Sequence, residues 1–266
     1  MKRLNAQELL EKGRDRGYPS DYILSRIRGR KARFIQDWKP FVASPSPLEH
    51  LPEGHYQRIV RDRTPEGIWR ALLIENQWVY HQMNEQLREI FGPYFLYTEL
   101  RTVFICLRNL KEMKRAAVKE MLSVSILSDQ IRKILTGSTD ELAAARAMEE
   151  KLLDFSGHFN GIAEILHQKG LTGFEHELTE RYLSVIVRSG IHPVLQKFFT
   201  RLIDARNILS LAKLVKMNTS AEHPFISGGG IPPATLQQLL ASKNRQGIEK
   251  ILKDFSGEDT VSFDLV

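Results

Sequence analysis

Tyr94-Phe95-Leu96-Tyr97-Thr98-Glu99-Leu100-Arg101-Thr102-Val103 has a counterpart 105 residues on, at Phe199-Thr200-Arg201-Leu202-Ile203-Asp204-Ala205-Arg206-Asn207-Ile208. Aligned, both segments give an aromatic residue, four residues, an acid, one residue, Arg, a small polar residue and a β-branched one. At helical spacing Glu99, Val103, Cys106 and Leu110 fall on one face, and Asp204, Ile208, Leu211 and Val215 fall on the equivalent face. In each copy a carboxylate begins an otherwise apolar stripe. Burying such a group alone is costly, so each acid is expected to find a donor, either at a capped neighbouring helix or on an adjacent Arg. A proton-carrying or metal-binding acid is the functional alternative. Each copy supplies only one acid, however, with no His or second carboxylate at ligand spacing. The stronger reading is two copies of one helix-bundle unit, each pinned by an acid.

Outward from these two segments the chain reads as helix after helix. Ser44-Pro45-Ser46-Pro47 and Pro52-Glu53-Gly54 separate a first helical pair from the rest. Thr64-Pro65 opens a helix expected to run to about Phe91, with Gly92-Pro93 ending it and a further helix reaching about Leu110. Ser138, with Glu141 three residues on, has the spacing of a capping box. Later breaks are expected at Gly137, Gly170, Gly190 and Gly228-Gly229-Gly230. Val185-Ile186-Val187 is β-branched, yet it sits inside a helical period from Thr172 to Arg188. No strand alternation with hairpin turns is found. The fold class is therefore all-α, small helical bundles with at least two internal repeats. The expected division is a first unit over 1–112, including the N-terminal helix, and a second over 113–266.

The chain has 266 residues, of which 42% are hydrophobic and 26% charged, enough to bury a core. With 13 Phe, 7 Tyr and 3 Trp it carries too much apolar area to remain unfolded. The longest unbroken apolar run is Val103 to Leu107, far short of the roughly 20 residues a bilayer needs. No secretory signal is read at Met1 to Glu8, and the expected location is a reducing cytoplasm. The lone Cys106 excludes an internal disulfide and a multi-cysteine zinc site.

Residues 1–63 carry 14 Lys plus Arg against 8 Asp plus Glu, whereas the remaining residues carry 24 of each. The whole net charge of +6 thus belongs to the first quarter of the chain. There Ile23, Ile27, Phe34 and Trp38 share one helical stripe, and Arg26, Arg30, Arg33 and Asp37 a neighbouring one. Ser20 can cap this helix and Pro40 stops it. The arginine stripe is either a surface for phosphate or partner carboxylates, or a solvated face whose long side chains cover the apolar stripe. A helical nucleic-acid-binding scaffold is the alternative function, resting on this charge alone, since no zinc-finger, KH or RRM signature accompanies it.

Residues of catalytic type form no constellation. His176-Glu177-Leu178-Thr179-Glu180 lacks the second His of a zinc-protease motif, and no Gly-Lys-Ser/Thr follows Gly228-Gly229-Gly230. The latter reads as a turn into the helix begun by Pro232-Pro233. Cys106 reads as a small core residue.

Three segments resemble the C subunit (also called subunit d) family of the V-type and A-type rotary ATPases. Tyr22-Ile23-Leu24-Ser25-Arg26-Ile27-Arg28-Gly29 is similar to the family's N-terminal Tyr-x-x-x-Arg-x-Arg helix. Asp204-Ala205-Arg206-Asn207-Ile208 is similar to its recurrent acid-x-x-Asn-Ile helix, with Lys213 as the basic residue that follows. Gly228-Gly229-Gly230 before Thr235-Leu236-Gln237-Gln238-Leu239 is similar to its glycine turn. Members usually have three related bundles forming a funnel; two copies are identified here, and Thr102 stands at the Asn position of the first.

The resemblance implies a non-catalytic rotor adaptor without cofactor, metal or small-molecule substrate. Its partners would be the central-stalk shaft and the membrane proteolipid ring, the latter its only contact with the membrane. It would pass torque between them for proton or sodium transport, from the cytoplasmic side. Nucleic acid would not be a partner. On this reading Arg26, Arg30 and Arg33 are candidate contacts for an acidic partner surface. Tyr22, Arg28, Glu99, Arg101, Asp204, Arg206 and Asn207 are candidate structural clamps.

Overall fold

A computed structural model describes residues 6–32, 64–219, 225–243 and 245–256. Among these residues the regular structure is helical. Ten α-helices run in order: α1 (Ser20–Lys31), α2 (Pro65–Gln82), α3 (Glu85–Lys111), α4 (Arg115–Leu122), α5 (Asp129–Gly137), α6 (Glu141–Phe155), α7 (Ile162–Arg188), α8 (Pro193–Lys216), α9 (Pro233–Ser242) and α10 (Arg245–Ser256). The one extended pairing among the described residues is an isolated antiparallel bridge between Leu10 and Leu127.

The helix ends follow from local chemistry, not always at the expected residue. Thr64 does open α2, its hydroxyl accepting the Gly67 N–H at 3.1 Å with Pro65 in the first turn. That helix stops at Gln82, because Asn84 caps a new one by accepting the Leu87 N–H at 2.9 Å. Gly92-Pro93 then fails to end anything: both lie inside α3. Gly92 is there for close approach, since a Cβ at that position would lie 3.3 Å from the Cβ of Ala6. The Pro93 carbonyl is held by the Tyr182 hydroxyl at 2.7 Å, which ties the proline turn to α7. Ser138 is likewise not the N-cap of α6 but the C-cap of α5, its hydroxyl donating back to the Ile134 carbonyl; Asp140 is the N-cap, accepting the Ala143 N–H at 2.8 Å. Ser20 is the first residue of α1 and makes no cap bond, with Pro19 at the cap position. Pro40, the Ser44–Pro47 break and the Pro52–Gly54 break lie outside the described residues.

Gly170 interrupts α7 as expected, with φ 68 and ψ −173, a conformation open chiefly to glycine. The ends of α3 and α8 repeat one another. Each closes on a residue of positive φ, Met113 at 58° and Asn218 at 51°. Each then completes a Schellman pair: Lys114 N–H to Asn109 carbonyl with Met113 N–H to Leu110, and Thr219 N–H to Leu214 with Asn218 N–H to Val215. These positions, too, are 105 residues apart.

Among the described residues two hydrophobic cores result. The larger takes side chains from both sides of residue 112, among them Leu73, Tyr80, Phe95, Leu107, Ile126, Leu135, Phe159, Phe174, Tyr182 and Phe199. The smaller gathers Ile208, Leu211, Ala212, Phe225, Leu236, Ile248 and Leu252. The continuous helix α8 joins them, giving Leu195, Phe199 and Ile203 to the first and its C-terminal half to the second.

Candidate functional site

The two acids of the repeated segment do find donors, but the donors belong to loops. Glu99 is 1% exposed. One of its oxygens accepts the Ile126 N–H at 2.8 Å and the other the Ser125 hydroxyl at 2.8 Å. Asp204 accepts the Ile231 N–H at 2.9 Å and the Gly230 N–H at 3.0 Å. In both cases the acid on a long helix holds the backbone N–H 27 residues later, in the loop that leads into the next packed helix (α5 or α9). Three residues beyond Asp204, Asn207 adds a reciprocal pair with Ile226, accepting its N–H at 2.7 Å and donating to its carbonyl at 2.8 Å. Thr102, its counterpart, instead accepts the Trp69 indole N–H at 3.1 Å.

Burial raises the Glu99 pKa, against the lowering pull of the Ile126, Ser125 and Thr102 bonds and the Arg132 charge. The same burial, with a smaller contribution from the Glu99 charge, pushes the Cys106 thiol up to about 12, which suits a core residue and not a nucleophile. The arginines that follow the acids both stand over aromatic rings. The Arg101 guanidinium lies 4.9 Å from the Trp69 ring centre, and Arg206 donates to the Tyr97 hydroxyl at 3.1 Å.

The basic helix α1 sits on α2 through one side of its surface. Ile23 is buried. Arg30 stacks on Trp78 at 3.7 Å from the ring centre and pairs with Glu75. Arg26 approaches the same ring at 4.9 Å and donates to Gln82 at 2.9 Å; it also lies 5.6 Å from the Tyr22 ring. Two of the three stripe arginines thus have partners within the chain, although Arg26 remains solvent-exposed. Arg33 lies outside the described residues, as do Phe34, Asp37 and Trp38. Arg28 is exposed, and its side chain makes no hydrogen bond or ion pair among the described residues.

A set of residues not singled out in the sequence ties the N-terminal segment to the body. Glu11 lies between His81 and Arg132, its carboxylate meeting Arg132 at 2.9 Å. Its backbone N–H reaches the Ile126 carbonyl at 2.8 Å, and its carbonyl accepts the Tyr80 hydroxyl at 2.9 Å. Arg88, 5% exposed, donates to the carbonyls of Met83, Gly13 and Arg14. Apart from Met83, these partners are about 70 to 120 residues apart in sequence, so no local pattern announces them. Ser125 and Ile126 therefore connect two systems, the Glu99 clamp on one side and the N-terminal segment on the other.

Among the described residues no group of three or more His, Cys, Asp or Glu side chains could hold a metal ion. No described helix is long and apolar enough to cross a membrane. What the arrangement achieves is mechanical: carboxylates and amides on long helices fix the loops between them.

Comparison with curated proteins and with solved structures gives no match. Comparison with protein families matches residues 49–261, from before α2 to beyond α10, to the family described as ATP synthase (C/AC39) subunit. The match takes in both acid-held loops and the whole described body after α1, while α1 itself precedes it. With most of its length matched, and with an all-helical body of the kind its motifs led one to expect, the chain belongs to the ATP synthase (C/AC39) subunit family.

Proposed function

We propose that this chain is a non-catalytic rotor adaptor of a V- or A-type ATPase. It sits between the central shaft and the proteolipid ring, on the cytoplasmic side of the membrane, and passes torque from one to the other while the ring moves protons or sodium ions. The family match over 49–261 carries this reading. The geometry supports it, because a torque adaptor must resist shear between its helices. Glu99 and Asn207 each lock a loop to a long helix through buried hydrogen bonds, and Asp204 does so through partly buried ones. Such bonds contribute about 1 kcal/mol each when made, and leaving their partners unpaired costs more. Contact with a neighbouring subunit is assigned to the basic helix α1.

The test is affinity isolation of the tagged full chain from gently solubilised membranes, with mass spectrometry of the eluate. Shaft and ring subunits should accompany it in stoichiometric amounts. Recovery of the chain alone, or with RNA, from an extract whose ATPase is intact would overturn the adaptor reading.

A further inference from the structure

The arginines of α1 divide into two kinds by what they touch. At 100° per residue, Ile23, Ile27, Arg26 and Arg30 share the inner side of the helix. The two arginines there are held by Trp78, Glu75 and Gln82. Leu24 and Arg28, one turn apart, share the opposite side with Ser25. Leu24 is 44% exposed, and Arg28 is exposed with its guanidinium uncommitted among the described residues.

A guanidinium stacked on an indole and paired with a carboxylate has little left to offer a partner, whereas one in water on a rigid helix offers its full donor fork. The described stretch that holds α1, residues 6–32, carries seven Lys plus Arg against four Asp plus Glu, a net charge of +3 that attracts negative surfaces.

We infer that the outer face of α1, centred on Leu24 and Arg28, docks onto an acidic protein surface: a carboxylate for the guanidinium beside an apolar patch for Leu24. Arg26 and Arg30 are positioning residues that hold α1 on Trp78. A protein surface is favoured over a nucleic-acid backbone for two reasons. A phosphate track calls for several uncommitted cations in line, and two of the arginines on α1 are already engaged. The exposed Leu24 next to Arg28 matches the mixed apolar and charged character of protein interfaces. The inference rests on the rotor reading for the identity of the assembly that supplies this surface.

The test places p-benzoylphenylalanine at position 24 of the tagged full chain in its native host. Irradiation precedes isolation of the complex, and the cross-linked peptide is mapped. The expected product joins position 24 to an Asp- or Glu-bearing segment of another ATPase subunit. Arg28→Glu should reduce it about five-fold or more, and Arg28→Lys should restore most of it, because a rim charge governs encounter more than burial. Neither variant should alter the melting temperature. Trp78→Ala should weaken the cross-link as well, but together with lost hydrogen-exchange protection across α1. A cross-link to this chain's own residues or to nucleic acid, or one indifferent to Arg28→Glu, overturns the surface while leaving the adaptor role standing. Absence of every ATPase subunit from the unsubstituted complex overturns both.

Discussion

At the scale of single residues, the two acids of the repeated segment hold their loops with different donors, and the difference is testable. Glu99 faces one N–H and two hydroxyls, those of Ser125 and Thr102; Asp204 faces two N–H groups. A hydroxyl can turn and accept, and an N–H cannot. Glu99→Gln can therefore keep the Ile126 and Ser125 bonds, its carbonyl taking the Ile126 N–H and its amide donating to Ser125. Asp204→Asn must leave one backbone N–H facing an amide NH2, at a cost of about 1–3 kcal/mol. The pH response separates them further. Burial raises the Glu99 pKa above its unfolded value, so between the two values the native state holds a proton that the unfolded chain has released. Stability then falls as pH rises through that interval, and the penalty is complete above the native pKa. Denaturant midpoints measured from pH 4 upward should show this downward contribution in the parent protein and lose it in Glu99→Gln. An unchanged slope in Glu99→Gln would mean that the buried carboxyl is not its source.

At the scale of elements, the loop into α9 is shaped by the acid it wraps. A Cβ on Gly229 would come within 2.2 Å of an Asp204 oxygen and 3.1 Å of Ile203 Cγ2, and Gly228 has φ +103. Gly229→Ala cannot close the clamp without moving the loop, and should cost about 2 kcal/mol through broken N–H bonds. Gly137→Ala, where a Cβ meets nothing within 4 Å, should be neutral or stabilise by up to about 1 kcal/mol. In a double-mutant cycle, Asp204→Asn should add little once Gly229→Ala is present, because both remove the same bonds. Full additivity would disprove the shared clamp. The same element shows what the sequence could and could not disclose. The acid, the apolar stripe and the glycine run were all legible from period and composition. What was not legible was that the acid's partners are the end of the glycine run and the residue after it, 26 and 27 residues away. Glycines chosen for close approach look like breakers in sequence. For that reason Gly92-Pro93 was expected to end a helix, whereas Gly92 instead admits Ala6 and Asn84 provides the actual start. The inward turn of Arg26 and Arg30 was hidden for a related reason. Trp78, Glu75 and Gln82 lie some 45 to 56 residues away, and only tertiary packing brings them to α1.

At the scale of the whole molecule, the arrangement of the two cores sets how it should come apart. The larger core is built from helices that pack on one another around α3 and α7, whereas the smaller is formed by α9 and α10 against the C-terminal half of α8. A small core closed by two short helices has less buried apolar area to hold it, so α9 and α10 should open while the rest stays folded. Native-state hydrogen exchange distinguishes this from all-or-none unfolding through an asymmetry. Leu236 and Leu107 are both fully buried, one in each core. Leu236→Ala removes about 3 kcal/mol from the native state relative to every form in which α9 and α10 are open. Exchange should then accelerate roughly a hundred-fold in α9 and α10, and also in those amides of α3 and α7 that exchange through global unfolding. Leu107→Ala should accelerate exchange in α3 and α7 alone, because its side chain stays packed when only the smaller core opens. If Leu107→Ala speeds exchange in α9 and α10 as much as in α3, the two cores form one cooperative unit. The continuous helix α8 would then transmit stability, as well as position, from one to the other.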